Sequence, residues 1–511
     1  MLVVTVEEMR TIEQRAEREY GLTSPVLMEH AGRSVAELLR PLLGDARARV
    51  VLVLAGPGNN GGDGRVMAKY LAEWGTHITI YAWKERRLEV GGRYIPVGDD
   101  LAAVREALTR ADVVADALLG TGTSRPLPES MRALIGLVRD EKQRRPELTV
   151  LAVDLPTGLN ADTGEMDPGV LNADLTATLA FPKTGLFFYP GAASVGTLEI
   201  GGIGLPPEME ITSGLEMMDA PLMRPLLPAR PVESNKGTFG KVMVLAGSGH
   251  FLGAAYLVTA AAARVGAGLV TLATTAERAP FYTTMLPEAT YAILPPDAAS
   301  PEQRADAFLA ELAGYRAVVI GPGLGQAPET LPFLERVLAG IAAQPDVERP
   351  CLLVDADGLN NLAKLPEWWR RLPAQTVITP HPGEMARLLG GQSVSGGGFD
   401  RLPTTRESAR AWNLVVLLKG ATTLVGEPGG RVRLHSPGNP ALATAGTGDV
   451  LSGTIGGLLA QGLAPYDAAS LGVYLHARAG FLVSERLGEA GTLAGDLLPE
   501  LPVAIKRLRG S

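Results

Sequence analysis

The sequence predicts an α/β protein of two domains, each a mostly parallel sheet between two layers of helices. Three observations carry this expectation. Short, continuous apolar runs such as Val50-Val51-Leu52-Val53-Leu54-Ala55 alternate with stretches of helical period, the pattern of strands buried on both faces. Nearly every such run ends in a glycine-rich or polar loop. The alternation stops once, from Gly201 to Pro231, where Pro206, Pro207, Pro221, Pro225, Pro228 and Pro231 interrupt a stretch with no period. At 511 residues the chain is too long for one core. The expected boundaries are therefore a first domain over 1–212, a linker core at 213–218 within the proline-rich 205–231, and a second domain over 219–511.

Composition narrows the function classes. The formal net charge is -8 and the pI about 5.5, so an anionic ligand must be held by local devices, and nothing suggests a nucleic-acid partner. The single cysteine, Cys351, sits in an apolar run read as a buried strand, which excludes a disulfide within the chain and fits a reducing compartment. The start, Met1-Leu2-Val3-Val4-Thr5-Val6-Glu7-Glu8, lacks the basic and long apolar regions of a signal peptide. Gly253 to Ala276 is membrane-like, but Arg264 and several glycines break it, and a helix followed by a strand explains it better. A cytoplasmic protein without a membrane partner is expected.

In chain order, Val6 to Tyr20 has helical period, and Leu27 to Leu43 reads as a second helix. His30 near its start is a possible base, but a satisfied structural histidine is the reading favoured. The strand Val50 to Ala55 runs into Gly56-Pro57-Gly58-Asn59-Asn60-Gly61-Gly62-Asp63-Gly64 and then a helix from Arg65 to Trp74. A strand, a glycine loop and a helix form the nucleotide-binding unit of doubly wound folds, although this loop matches neither the dinucleotide fingerprint nor the phosphate loop with its lysine. Its N-H groups suit phosphate, and its side-chain oxygens suit a hard cation.

Strands at His77 to Ala82, Asp112 to Leu118 and Leu148 to Val153 follow, the last two leading into Leu119-Gly120-Thr121-Gly122-Thr123-Ser124-Arg125-Pro126 and Asp154-Leu155-Pro156-Thr157-Gly158. In a parallel sheet these loops leave the same edge, so Asp116, Asp154 and Thr157 are expected to share a cleft with Asn60. A bare turn cap before Pro156 is the alternative for Asp154.

In the second half, Asn235-Lys236-Gly237 precedes a strand over Lys241 to Ala246, and Gly253-Ala254-Ala255 opens a long helix. Strands at Leu269 to Ala273, Ala317 to Ile320, Leu352 to Val354, Thr376 to Thr379 and Val415 to Leu418 end in Gly321 to Gly325, Asp355 to Asn360, Pro380 to Glu384 and Lys419 to Thr423, among other loops. Gly391 to Phe399 reads as a mobile loop. The last unit, Ala445-Gly446-Thr447-Gly448-Asp449, leads into the apolar run Val450 to Leu459, which places the glycines at the N-terminus of a buried helix. Such an end attracts anions through its free N-H groups and dipole. A carboxylate there repels them unless it handles a proton or a metal ion, so Asp449 is read as chemistry; an ordinary first-turn aspartate is the alternative.

The loops Asn59 to Gly64, Asn235 to Gly237, Thr379 to Glu384 and Gly446 to Asp449, in that order, resemble those of the bifunctional NAD(P)H-hydrate repair enzymes of bacteria, and the resemblance covers nearly the whole chain. It implies a Rossmann-like epimerase domain fused to a ribokinase-like dehydratase domain. It implies that Asn59, Asn60, Gly61, Gly62, Asp63, Gly120, Thr121, Gly122, Thr123, Ser124, Arg125, Pro126 and Asp154 contact the hydrated dinucleotide, with Asn60, Asp116 and Thr157 on a potassium ion. Thr157 stands where the family usually has serine, which keeps the hydroxyl oxygen. In the second domain Ala254, Gly323, His381 and Asp449 are implied for the hydrate, and Lys419, Gly420, Ala421, Thr422, Thr423 and Gly448 for ADP with magnesium. The implied substrates are NADHX and NADPHX, and the implied assembly is a homo-oligomer, tetramer or larger.

The chemistry expected is phosphorylation of a hydroxyl that cannot leave as hydroxide, with Asp449 as base and Asp154 as acid or base of the epimerisation. A small-molecule kinase would use the same Gly-Thr-Gly-Asp site but release a stable phosphorylated product. The N-terminal half could also be a nucleotide-binding module without chemistry.

Overall fold

The computed structural model describes residues 1–84, 93–95, 101–122, 126–394, 398 and 400–510. Thr123, Ser124 and Arg125, and part of the Gly391 to Phe399 loop, lie outside the described residues. The chain divides into a unit over Leu2–Ser213 and a second that begins at Gly214 and includes Met1.

The N-terminal unit is a seven-stranded sheet of β1 (Val50–Ala55), β2 (His77–Ala82), β3 (Arg93–Ile95), β4 (Val113–Ala117), β5 (Thr149–Val153), β6 (Leu175–Leu179) and β7 (Thr197–Gly201). Their order is β3-β2-β1-β4-β5-β6-β7 and every pairing is parallel. Side chains of a strand alternate between faces: Val51, Val53 and Ala55 join the apolar layer under the helices Val6–Tyr20 and Ser24–Leu43, while Leu52 and Leu54 join the opposite layer under Glu129–Arg144. The chain leaves β1 toward β2 and returns to β4 on its other side, so a crevice opens between the carboxyl ends of β1 and β4, where Leu54 pairs with Asp116.

The glycine stretch after β1 is more helical than its sequence suggested. The helix runs Asn59–Glu73 with Gly58 as its N-cap, so Asn59 to Gly64 form its first turns and not a loop. The reason is steric: a Cβ on Gly61 would stand 1.8 Å from the Gly56 carbonyl oxygen. These glycines serve close approach of helix and strand rather than a flexible lasso.

The C-terminal unit holds β8 (Leu215–Met217), β9 (Lys241–Leu245), β10 (Leu269–Thr275), β11 (Thr290–Leu294), β12 (Ala317–Ile320), β13 (Cys351–Val354), β14 (Thr376–Ile378), β15 (Val415–Leu418), β16 (Thr423–Gly426) and β17 (Val432–His435). They form one sheet in the order β11-β10-β9-β12-β13-β14-β15-β16-β17-β8. From β11 to β15 it is parallel, then β16 and β17 run antiparallel, a mixed edge that the sequence pattern did not predict. Its switch point lies between β9 and β12. Val242 and Val244 face one apolar layer, Met243 and Leu245 the other.

The stretch expected as linker core is not structureless. Leu215–Met217 is the edge strand β8, parallel to β17, with Leu215 buried and Glu216 paired to Arg433 at 3.1 Å. Residues 213–218 carry no proline, so their N-H groups are free to join a ladder, and the flanking prolines obscured this in the sequence. Cys351, expected to be buried, is only partly so, because it begins β13.

Candidate functional site

The N-terminal unit has a cavity of about 620 Å³ at the carboxyl ends of its central strands. Asn59, Asn60, Asp63, Gly120, Thr121, Gly122 and Asp154 line it, together with Glu13 and Lys183. Gly61 and Gly62 are buried behind this wall, and a Cβ on Gly62 would strike the Met28 side chain. Pro126 lines a neighbouring cavity of about 330 Å³ on the other side of Leu119 and Gly120. His30 does not line the large cavity; Gly204 lies against its ring.

Asp154 follows β5 directly and has a left-handed backbone, φ 67°, a conformation that costs free energy and gathers at functional sites. Its Oδ1 receives Lys183 Nζ at 2.5 Å, the Leu179 N-H at 3.1 Å and Thr178 Oγ1 at 3.3 Å. Lys183 is itself buried and also donates to the Leu179 carbonyl at 2.9 Å. Asp63 is buried too, and burial with Asp154 and Glu13 nearby pushes its carboxyl up to about 8. Glu13 is likewise raised, chiefly by burial, with Lys183 opposing.

Beneath the cavity floor lies a second polar knot. Thr157 donates its hydroxyl to Asp116 Oδ1 at 2.7 Å and its N-H to Asp116 Oδ2 at 2.8 Å, while the Leu119 N-H reaches Thr157 Oγ1 at 3.1 Å. Asn60 Nδ2 donates to the Leu119 carbonyl at 3.0 Å, yet Asn60 Oδ1 is buried with no hydrogen-bond partner among the described residues. Asp116 is 1% exposed and burial raises its carboxyl despite those bonds. An orphaned amide oxygen, a buried carboxylate, a hydroxyl and a carbonyl make an all-oxygen set of low charge, suited to a monovalent cation better than to magnesium or calcium.

In the C-terminal unit, Gly446 caps the helix Thr447–Ala460 with φ 90°, which brings the chain round so that Asp449 falls in the first turn. Burial, with Asp355 and Asp357 adding to it and Lys419 opposing, pushes the Asp449 carboxyl up to about 7. Lys419 Nζ stands 2.7 Å from Asp355 Oδ1 and 3.8 Å from Glu384 Oε2. Ser452, one turn along from Asp449, donates to Asp355 Oδ2 at 2.7 Å. A Cβ on Gly448 would lie 3.7 Å from Lys419 Nζ, so the ammonium sits beside the helix N-terminus.

His381 is the N-cap of the helix Pro382–Leu388: its Nδ1 accepts from Gly383 N at 3.0 Å, and Glu384 answers by accepting from His381 N at 2.8 Å. Burial, Lys419 and Arg387 hold the imidazole below its ordinary value, hence neutral at pH 7. Ala254 and Gly323 meet across the switch point, where a Cβ on Gly323 would be 3.0 Å from that of Ala254. From the same loop the Gly325 N-H donates to Asp357 Oδ2 at 2.9 Å. The Lys419 to Thr423 segment is held by the fully buried Arg401, which donates to the carbonyls of Leu418, Lys419 and Thr422. Thr422 is buried, and Thr423 Oγ1 closes on the Gly420 carbonyl at 3.0 Å beside Ala421.

The geometry thus brings Asn59, Asn60, Asp63, Gly120 to Gly122 and Asp154 round one cavity and Lys419, Gly448 and Asp449 round one helix end. Sequence reasoning gave no role to Lys183, Glu13, Asp355, Asp357 or Glu384. Asp355 and Asp357 carried a legible signal, two acids at a strand end; Lys183, which follows Phe181-Pro182 after β6, carried none. No group of three or more His, Cys, Asp or Glu able to hold a metal occurs among the described residues, and no described helix is long and apolar enough to cross a membrane.

Two family models match the chain: one described as YjeF-related protein N-terminus over residues 24–185, and one described as NAD(P)H-hydrate dehydratase over residues 242–503. The chain is 37% identical to the bifunctional NAD(P)H-hydrate repair enzyme Nnr of Moorella thermoacetica, covering 99% of this chain and 97% of that protein. It is 36% identical to the protein of that name from Thermofilum pendens over 100% of this chain and 97% of the relative, and 35% identical to that of Escherichia coli over 97% and 92%.

Proposed function

Because the chain belongs to the family of bifunctional NAD(P)H-hydrate repair enzymes, we propose that its two units divide one repair between them. The protein is a metabolite repair enzyme: it epimerises the R and S forms of hydrated NADH and NADPH and dehydrates the S form to the intact dinucleotide. ADP drives the second step and leaves as AMP and phosphate.

Hydroxide is a poor leaving group, whereas phosphate is a good one. In the C-terminal unit Asp449 takes the proton of the substrate hydroxyl, and the oxygen attacks the β-phosphoryl group of ADP. The N-H groups at Gly446 to Gly448 and the ammonium of Lys419 face the charge that gathers on the phosphoryl oxygens. Departure of phosphate, pushed by the ring-nitrogen lone pair, leaves a ring iminium, and loss of a proton from the adjacent ring carbon restores the dihydronicotinamide. Asp355 holds Lys419 in place, and Ala254, Gly323 and His381 bind the hydrate.

Magnesium would supply charge neutralisation on the nucleotide phosphates; among the described residues no group of three or more His, Cys, Asp or Glu is placed to hold a metal, which fits an ion carried mainly by the nucleotide. Potassium held by Asn60, Asp116 and Thr157 would neutralise the buried carboxylate under the N-terminal cavity, and the orphaned Asn60 Oδ1 supports that assignment. The observation that carries the dehydratase reading is Asp449 in the first turn of a helix whose N-terminus adjoins Lys419. The test feeds S-hydrate and ADP and follows dihydronicotinamide absorbance together with AMP and phosphate. Equal yields support the reading, whereas a stable phosphorylated product would favour the kinase alternative.

A further inference from the structure

Asp154 presents its two oxygens to different surroundings. All three of its donors converge on Oδ1, and among the described residues none reaches Oδ2, although Asp154 lines the cavity. Across the same cavity Asp63, only 8% exposed, has no hydrogen-bond or ion-pair partner among the described residues. A buried carboxyl with no partner is costly as an anion, and its neighbours make this worse. The groups acting on it are Asp154, Glu13, Lys183 and Arg65, two anions and two cations, and Lys183 is already committed to Asp154. One carboxyl is therefore ion-paired and anionic and the other is neutral, both opening on one space, which is how a base and an acid are kept apart in a single site.

Resting on the epimerase reading of this unit, we propose that Asp63 is the proton donor and Asp154 the proton acceptor of the inversion, with Lys183 as the positioning residue that holds Asp154 as the anion. The hydroxyl-bearing carbon adjoins the ring nitrogen. Asp154 Oδ2 takes the hydroxyl proton and the oxygen's electron pair forms a carbonyl. The carbon-nitrogen bond breaks with its pair going to nitrogen, which takes the proton of Asp63. The open aldehyde turns about its carbon-carbon bond and the nitrogen attacks the other face. Asp63 regains its proton from nitrogen, and Asp154 returns the first proton to oxygen. Nothing is oxidised or reduced, no water is consumed, and both carboxyls are restored.

The sign of the pH dependence follows. Asp63 must be protonated, so inversion falls as pH rises through its raised value, about 8.

The experiment uses the full chain, with Asp63→Asn and Lys183→Met variants, purified R-hydrate, and initial rates of conversion across pH. Dehydration of S-hydrate with ADP reports that the chain is folded. Asp63→Asn is expected to lower kcat about 100- to 10,000-fold with KM changed only a few-fold, and to abolish the alkaline limb. Lys183→Met, which removes the ion pair on Asp154 Oδ1, is expected to lower kcat with KM changed only a few-fold, and Lys183→Arg is expected to recover part of the loss. In water labelled with heavy oxygen, inversion leaves the hydroxyl oxygen unlabelled. Asp63→Asn within threefold of the parent with its alkaline limb intact, Lys183→Met at the parent's kcat, or label entering at each inversion overturns the proposal while the epimerase reading stands. A parent chain that inverts neither epimer overturns both.

Discussion

Lys419 and Asp355, 64 residues apart in sequence, meet at 2.7 Å beside the helix that carries Asp449. Asp355 is only 2% exposed at its side chain, so its carboxylate depends on that ammonium and on the Ser452 hydroxyl. Lys419→Met leaves the carboxylate buried without a cation, and breaking such a pair costs about 3–5 kcal/mol. Denaturant unfolding of the C-terminal unit is expected to show a loss toward the lower end, because Lys419 retains some solvent contact. Dehydration is expected to fall with it; a stability change under about 1 kcal/mol would contradict the account.

Asp449→Asn tests the base. Dehydration is expected to drop about 100- to 10,000-fold with ADP binding nearly unchanged. In the parent chain the rate rises with pH through about 7, because the carboxyl must be ionised to accept a proton. The same shift acts on stability with the opposite sense. A carboxyl raised in the folded state favours folding at low pH, and that advantage is lost as pH rises from about 4 through about 7. The Asn variant is therefore expected to be more stable than the parent at pH 8 and to lose that margin at pH 5, as thermal unfolding would reveal.

Much of this arrangement was legible in the sequence, for identifiable reasons. Strands β1 and β9 read as continuous apolar runs because both faces are buried, and the helix end at Gly446 read from two glycines before an apolar period. What stayed hidden was long-range. Nothing in Phe181-Pro182-Lys183 says that a lysine will turn back 29 residues to meet Asp154. Nor does local propensity reveal that Leu215–Met217 closes the edge of a sheet whose partner strand, β17, starts at Val432. Helical start signals failed at Asn59 because glycines that permit close packing look, in sequence, like glycines that permit a loop.

The knot of Asn60, Asp116 and Thr157 predicts a unit-specific response to cations. Replacing potassium by a bulky organic cation is expected to slow epimerisation and leave dehydration unchanged. Thr157→Val removes the hydroxyl bonded to Asp116 at 2.7 Å, and an unsatisfied buried group costs about 1–3 kcal/mol. Unfolding of the N-terminal unit should register that loss, and equal damage to both activities would point to general unfolding instead.

The position of β8 predicts where the chain can be divided. Pieces 1–213 and 214–511 are expected to fold separately, since each unit has its own pair of apolar layers. A piece starting at 219 lacks Leu215–Met217 and the Glu216 to Arg433 ion pair, leaving the edge of β17 open. It is expected to unfold at lower denaturant than the 214–511 piece, and identical midpoints would contradict this.

The division of labour itself is tested most directly by dihydronicotinamide absorbance with mixed hydrate epimers and excess ADP. The full chain is expected to consume the whole mixture, while the 214–511 piece consumes the S form quickly and then slows to the rate of spontaneous inversion. Adding the 1–213 piece should restore complete consumption without adding nucleotide turnover of its own. Rapid consumption of both epimers by the 214–511 piece alone would contradict the assignment of epimerisation to the N-terminal cavity.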